Sequence, residues 1–136
     1  MTEKEKDLLI GDLCARLPYE VKVQYKDDIF TIDYISGIYE EIKLDTPDRY
    51  TIDISEVKPY LFPMSSITEE QKKYISNKWD INEEFYFEID PNWGEYFVEL
   101  GDTVDFIDWL NKNHFDYRGL IDKSLALDAT GLNIYN

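Results

Sequence analysis

The chain is poor in the residues that soft metals and thiol chemistry need. It has one cysteine, Cys14, and one histidine, His114. A single thiol excludes an internal disulfide framework and points to a reducing compartment. Zinc sites draw on several Cys or His ligands, so no metal centre is expected. No apolar run approaches the roughly 20 residues of a membrane span. The start, MTEKEKDLLIGDLC, lacks a basic segment leading into an apolar one, so no signal peptide is expected and the cytoplasm is the expected compartment. Positive charge is scarce as well: 14 Lys and Arg stand against 29 Asp and Glu, a net charge of −15. Such a chain repels phosphate backbones and anionic lipid, so neither direct nucleic-acid binding nor membrane association is expected. Phosphate-cradling glycine motifs are absent, and no cofactor is expected. What the charge suits is a basic protein partner, or a DNA-binding groove that carboxylates occupy by mimicking phosphates. Plain solubility is the simpler reading.

Aromatic residues are plentiful: 11 Tyr, 7 Phe and 3 Trp among 136 residues. That excludes acidic disorder and leaves material for one sizeable core. Thr2 and Glu5 form a capping box that opens a helix, with Leu9, Leu13 and Leu17 as an apolar stripe, Ile10 and Cys14 beside it, and Pro18 as its stop. Cys14 is expected buried, as a small hydrophobe. Strict alternation comes next, at Tyr19, Val21, Val23, Tyr25 and again at Phe30, Ile32, Tyr34. Gly37 marks a bend before a strand carrying Ile38, Ile42 and Leu44, and Tyr50, Ile52 and Ile54 alternate once more. Four short strands predict an antiparallel meander.

Pro59 and Pro63 then forbid a regular helix and disfavour a central strand. Thr68 and Gln71 form a second capping box, opening a short helix to about Trp79. Phe85, Phe87, Ile89 and Tyr96, Val98, Leu100 predict a hairpin across DPNWG. Asp102 or Thr103 caps a last helix, whose face carries Val104, Phe106, Ile107, Trp109 and Leu110. The expected fold is therefore α+β, a single domain over residues 1–136: N-terminal helix, antiparallel β-meander, short helix, β-hairpin, C-terminal helix and irregular tail.

Chemistry-bearing patterns are weak. Asp90, Asn92 and Glu95 suggest an oxygen-ligand loop, but Gly94 and Gly101 fall at the wrong positions for an EF-hand. Ser65 and Ser66 lack a nucleophile elbow. With so many carboxylates, no acid–base pair can be singled out. Two groupings remain. Residues 79–111 contain no Lys or Arg. There Glu84, Glu88, Glu95 and Glu99 alternate against the apolar side of the hairpin. With Trp93 in its turn and Phe62 between the prolines, they form the candidate interaction surface, the alternative being a solvated face. The second grouping is DWLNKNHFDYRGLI, residues 108–121. A reactive cluster of His114, Asp116 and Arg118 requires all three to converge in one pocket. The competing reading is structural: residues 111–114 end the helix, and Phe115 and Tyr117 pin the segment after it. On balance the expected function is a non-enzymatic acidic protein-interaction module. A DNA-mimicking, anti-defence inhibitor of a basic nucleic-acid-binding protein is one alternative, and an enzyme using the histidine cluster is the other.

The segments DLCARLPYEVKV, VKPYLFPMSS and DWLNKNHFDYRGLI resemble stretches of small, acidic, uncharacterised proteins of gut Bacteroidales and of their phages and mobile elements. The resemblance covers most of the chain. It implies a bacterial cytoplasmic protein with a phage or mobile-element link, and it brings no activity, fold or site residue with it.

Overall fold

The computed structural model describes residues 1–79 and 100–135. The chain is α+β, a single domain. Helix α1 spans Glu3–Arg16 and starts at the capping box, with Thr2 and Glu5 each accepting the other's amide. The meander continues as β1 (Lys22–Tyr25), β2 (Asp28–Ser36), β3 (Glu41–Leu44) and β4 (Thr51–Asp53), each antiparallel to the next. Strand β5 (Val57–Leu61) returns along β1, and β6 (Leu127–Asp128) adds a short parallel pair at its far side. Among the described residues this makes one mixed sheet in the order β4-β3-β2-β1-β5-β6. Helix α2 (Glu69–Trp79) opens at the Thr68–Gln71 capping box. Helix α3 spans Leu100–Lys112.

Among the described residues, two apolar clusters form the core. In the first, Leu9 and Leu13 of α1 meet Val21, Val23, Ile32, Ile42 and Ile52 of the sheet. In the second, Ile75 and Trp79 of α2 meet Phe106 and Leu110 of α3, with Met64, Ile67 and Phe115. Segment 59–66 runs between them. The second cluster is rich in rings: Trp79 lies 5.2 Å from Phe106, and Trp109 stacks 5.7 Å from Phe115.

The structure corrects several sequence expectations, each for a physical reason. Cys14 is exposed, because the buried side of α1 runs through Leu9, Asp12, Leu13 and Arg16. The alternation of β2 fails at Tyr34, which is 47% exposed. A bulge between Ile32 and Tyr34 leaves an extra residue on β2, and Ile35 then pairs with Ile42. One inserted residue reverses which side chains face the core. Ile38 belongs to the β2–β3 turn instead of a strand and is 88% exposed. Pro59 does sit inside the sheet, opposite Val23. Among the described residues, β6 pairs only with Tyr60 and Leu61. Among those residues, the outer side of β5 at Pro59 therefore has no strand neighbour to which an amide is owed. Leu100 opens α3 and does not close a strand, and Val104 faces solvent. The rest of the expected hairpin, with Glu84, Glu88, Trp93, Glu95 and Glu99, lies outside the described residues.

Candidate functional site

The C-terminal segment is built on the end of α3. His114 takes a left-handed backbone, φ 62°. Its amide donates to the Asn111 carbonyl at 3.1 Å, and the Phe115 amide reaches back to the Leu110 carbonyl at 2.9 Å. These two bonds make a Schellman ending, with the apolar pair Leu110–Phe115 beside it. Glycine usually fills the left-handed place, since a side chain there costs about 1 kcal/mol. Here an imidazole fills it, held by packing against the tail. The chain then zips onto the end of β5. The Phe62 amide donates to the His114 carbonyl and the Asp116 amide to the Phe62 carbonyl, both at 2.8 Å.

The three members of the expected reactive cluster separate at this point. Asp116 is buried, and its carboxylate accepts the Leu120 amide at 2.8 Å and the Ile121 amide at 2.9 Å. Burial pushes its pKa up, against those two bonds. Arg118 turns to α1, where Nη1 meets Asp12 Oδ1 at 2.8 Å. Only His114 lines the large cleft of this region. The sequence suggested neither Asp12 nor Arg16 as a partner, although their spacing of four on the apolar stripe of α1 is a readable signal. Both side chains are fully buried. Arg16 donates from Nε to Asp12 Oδ2 at 2.8 Å, and from Nη2 to Asp12 Oδ1 at 3.1 Å and the Phe115 carbonyl at 2.6 Å. The Tyr117 ring lies against both guanidiniums, 5.3 Å from Arg16 and 4.6 Å from Arg118. Its hydroxyl donates to Asn111 Oδ1 at 2.9 Å. One carboxylate between two guanidiniums thus ties α1 to the segment after α3.

The cleft encloses about 880 Å³. Residues of four places in the chain meet there: Pro18 to Lys22, Phe62 to Gln71, Lys112 to Phe115, and Thr130 to Tyr135. Phe62 is the described member of the candidate interaction surface. It is half-buried, with its ring 6.1 Å from Phe115 and 5.9 Å from Tyr135. His114 is 7% exposed and stacks on Tyr135 at 3.6 Å. Its Nδ1 is buried without a hydrogen-bond partner. Burial, reinforced by Arg16 and Lys22, lowers its pKa from 6.5 to about 4, so the ring is neutral at pH 7.

Tyr135 holds the tail down. Its hydroxyl donates to the Tyr60 carbonyl at 2.8 Å and accepts the Lys22 amide at 2.8 Å. Burial pushes its pKa upward, which keeps that proton in place. Tyr135→Phe keeps the stack and removes these bonds, together with the longer one from the same hydroxyl to the Lys22 carbonyl at 3.3 Å, leaving the Lys22 amide and the Tyr60 carbonyl short of a partner. The expected loss is about 1–3 kcal/mol, read as a lower urea midpoint with unchanged slope. An unchanged midpoint would show that the tail is not fastened through this hydroxyl. Among the described residues, no group of three or more His, Cys, Asp or Glu side chains is placed to hold a metal ion, and no helix is long and apolar enough to cross a membrane. No family model, curated protein or solved structure matches this chain, so what the cleft does is read from its own geometry.

Proposed function

We propose that the chain is a non-enzymatic, acidic protein-interaction module whose recognition face includes the rim of the cleft at Phe62. One observation carries this reading: the polar side chains that chemistry would need are committed to the fold. Asp116 holds two amides, Arg118 is paired with Asp12, and Ser66 Oγ donates to the Pro63 carbonyl at 2.6 Å. The imidazole Nδ1 has no carboxylate to orient it, and the ring stacks on Tyr135 instead of bonding to a nucleophile. Large apolar side chains, by contrast, stand in solvent at Ile38 and Tyr39. With a net charge of −15, the partner that fits is a basic protein.

A photoreactive phenylalanine analogue at position 62, introduced in the cell that makes the protein, tests this. The expected outcome is one dominant adduct with a protein of net positive charge. Association with that protein, once purified, should slow roughly tenfold between low and high salt. The absence of any protein adduct at position 62 would remove the reading, and so would a partner whose association ignores salt.

A further inference from the structure

One side chain fastens the tail across the cleft. Thr130, Gly131, Leu132 and Asn133 are exposed. The Thr130 and Leu132 amides bond within the tail, to the Asp128 carboxylate and the Ala129 carbonyl. Among the described residues, the hydrogen bonds that join residues 130–135 to another element all come from the Tyr135 hydroxyl, which meets the backbone of Lys22 and Tyr60. The ring of Tyr135 lies flat on His114, with 3.6 Å between centroids and 16° between planes, and edge-on to Phe62. The tail is therefore a strap. One end is held by the Ala129 amide on the Leu61 carbonyl, and the other is pinned over a histidine.

That histidine has no place for a second proton. A cationic imidazole presents an N–H at both nitrogens, and Nδ1 is buried without an acceptor. The charges that bear on the ring from the elements packed around it, Arg16 of α1 and Lys22 of β1, are both positive. The carboxylates of this region are engaged elsewhere: Asp116 holds the Leu120 and Ile121 amides, and Asp12 lies between two guanidiniums. Glu20 and Lys112 line the same cleft with opposite charges. Hydrating Nδ1 requires the ring to shift, and Tyr135 is the side chain stacked on it.

We propose that residues 130–135 form a proton-released strap: when His114 takes up a proton, its stack on Tyr135 breaks, the strap lifts and Phe62 is bared, while both apolar clusters stay folded. Lifting removes the wall of the cleft that Thr130, Gly131, Ile134 and Tyr135 supply. Phe62 also sits at the rim of the proposed recognition face, so acid widens that face. The strap itself stands or falls without any partner.

Hydrogen exchange on the full chain at pH 7 and pH 5 tests this, with each rate expressed as protection against an unfolded peptide at the same pH. The Lys22 amide reads the strap, and amides in the middle of α1 read global unfolding. The ring has a pKa of about 4 in place, against 6.5 for the free side chain. Protection at Lys22 should therefore fall roughly twentyfold from pH 7 to pH 5. It should also lie well below that of α1 and stay constant in dilute urea, because lifting a strap exposes little surface. His114→Asn should give the same Lys22 protection at both pH values. Tyr135→Ala should move the ring titration of His114, the only histidine in the chain, upward toward 6.5. A fall at Lys22 of less than about threefold would overturn the strap. So would Lys22 protection that follows urea in step with α1, since acid would then act by unfolding the whole domain. Acid loss in His114→Asn equal to that of the parent, or a His114 titration unmoved by Tyr135→Ala, would do the same.

Discussion

Asp12→Ala should lower the unfolding free energy by about 3–5 kcal/mol, because it strands a fully buried guanidinium. Arg16 sits at 0% exposure with two of its bonds on this carboxylate. Its remaining described bond is to the Phe115 carbonyl, and Nη1 has no partner at all. No route to water compensates the loss. A domain of this size has only about 5–15 kcal/mol to lose, so Asp12→Ala should fold poorly at 37 °C. Two further variants keep the question answerable if it does not fold. Arg118→Ala removes the partly exposed partner, 29% exposed, and should cost about 1 kcal/mol. Asp12→Leu with Arg16→Met replaces the buried pair by apolar volume and should recover about 2 kcal/mol or more relative to Asp12→Ala. Urea unfolding measures all three. A loss below about 1 kcal/mol for Asp12→Ala would mean that the pair acts like an exposed ion pair.

The second large effect is a loss of stability in acid, centred on His114. The folded pKa is about 4, against 6.5 for the free side chain. Between those values the unfolded chain binds the proton and the folded chain does not. Unfolding free energy therefore rises with pH across that window and is fully present above about pH 6.5. The whole difference amounts to at most about 3 kcal/mol, lost as pH falls toward 4. Asp116 opposes part of it: burial raises its pKa, so the folded chain takes up that proton more readily as pH falls. Asp53, held below the usual range by its bonds to Ser55, adds to the loss at lower pH. His114→Asn separates these contributions. Asparagine accepts the left-handed backbone that the Schellman ending needs, and it does not titrate. Urea unfolding at intervals from pH 7.5 to 4.5 should give a steep slope for the parent chain and a flatter one for the variant. Equal slopes would assign the acid sensitivity to carboxylates alone.

Much of the architecture can be read from local chemistry. Both capping boxes, the meander and the final helix come from spacing and period, because each is decided by neighbours within a few residues. The errors have a common cause. Alternation puts Tyr34 on the core side because a bulge cannot be seen from the pattern that it interrupts. Counting apolar residues alone puts Cys14 on the buried stripe and leaves out Asp12 and Arg16. A buried charge pair turns the helix face, and that is decided by a partner more than a hundred residues away, Arg118. The candidate site is legible in part. Residues 111–114 read as a helix end, and Arg118 has carboxylates nearby to pair with. Which carboxylate it takes, and the folding of Tyr135 onto His114, depend on tertiary contacts that no short window contains.

The outer edge of β5 sets the timing of assembly. Leu61 and Phe62 find their partners in Ala129, His114 and Asp116, and Tyr60 pairs with Leu127. All of these leave the ribosome long after β5 does. Until they emerge, a nascent chain with a finished meander displays β5 as a bare hydrogen-bonding edge. A chain interrupted before His114 keeps that edge permanently and offers it to any copy nearby. Residues made well after the meander are therefore the ones that cover this edge at Tyr60, Leu61 and Phe62.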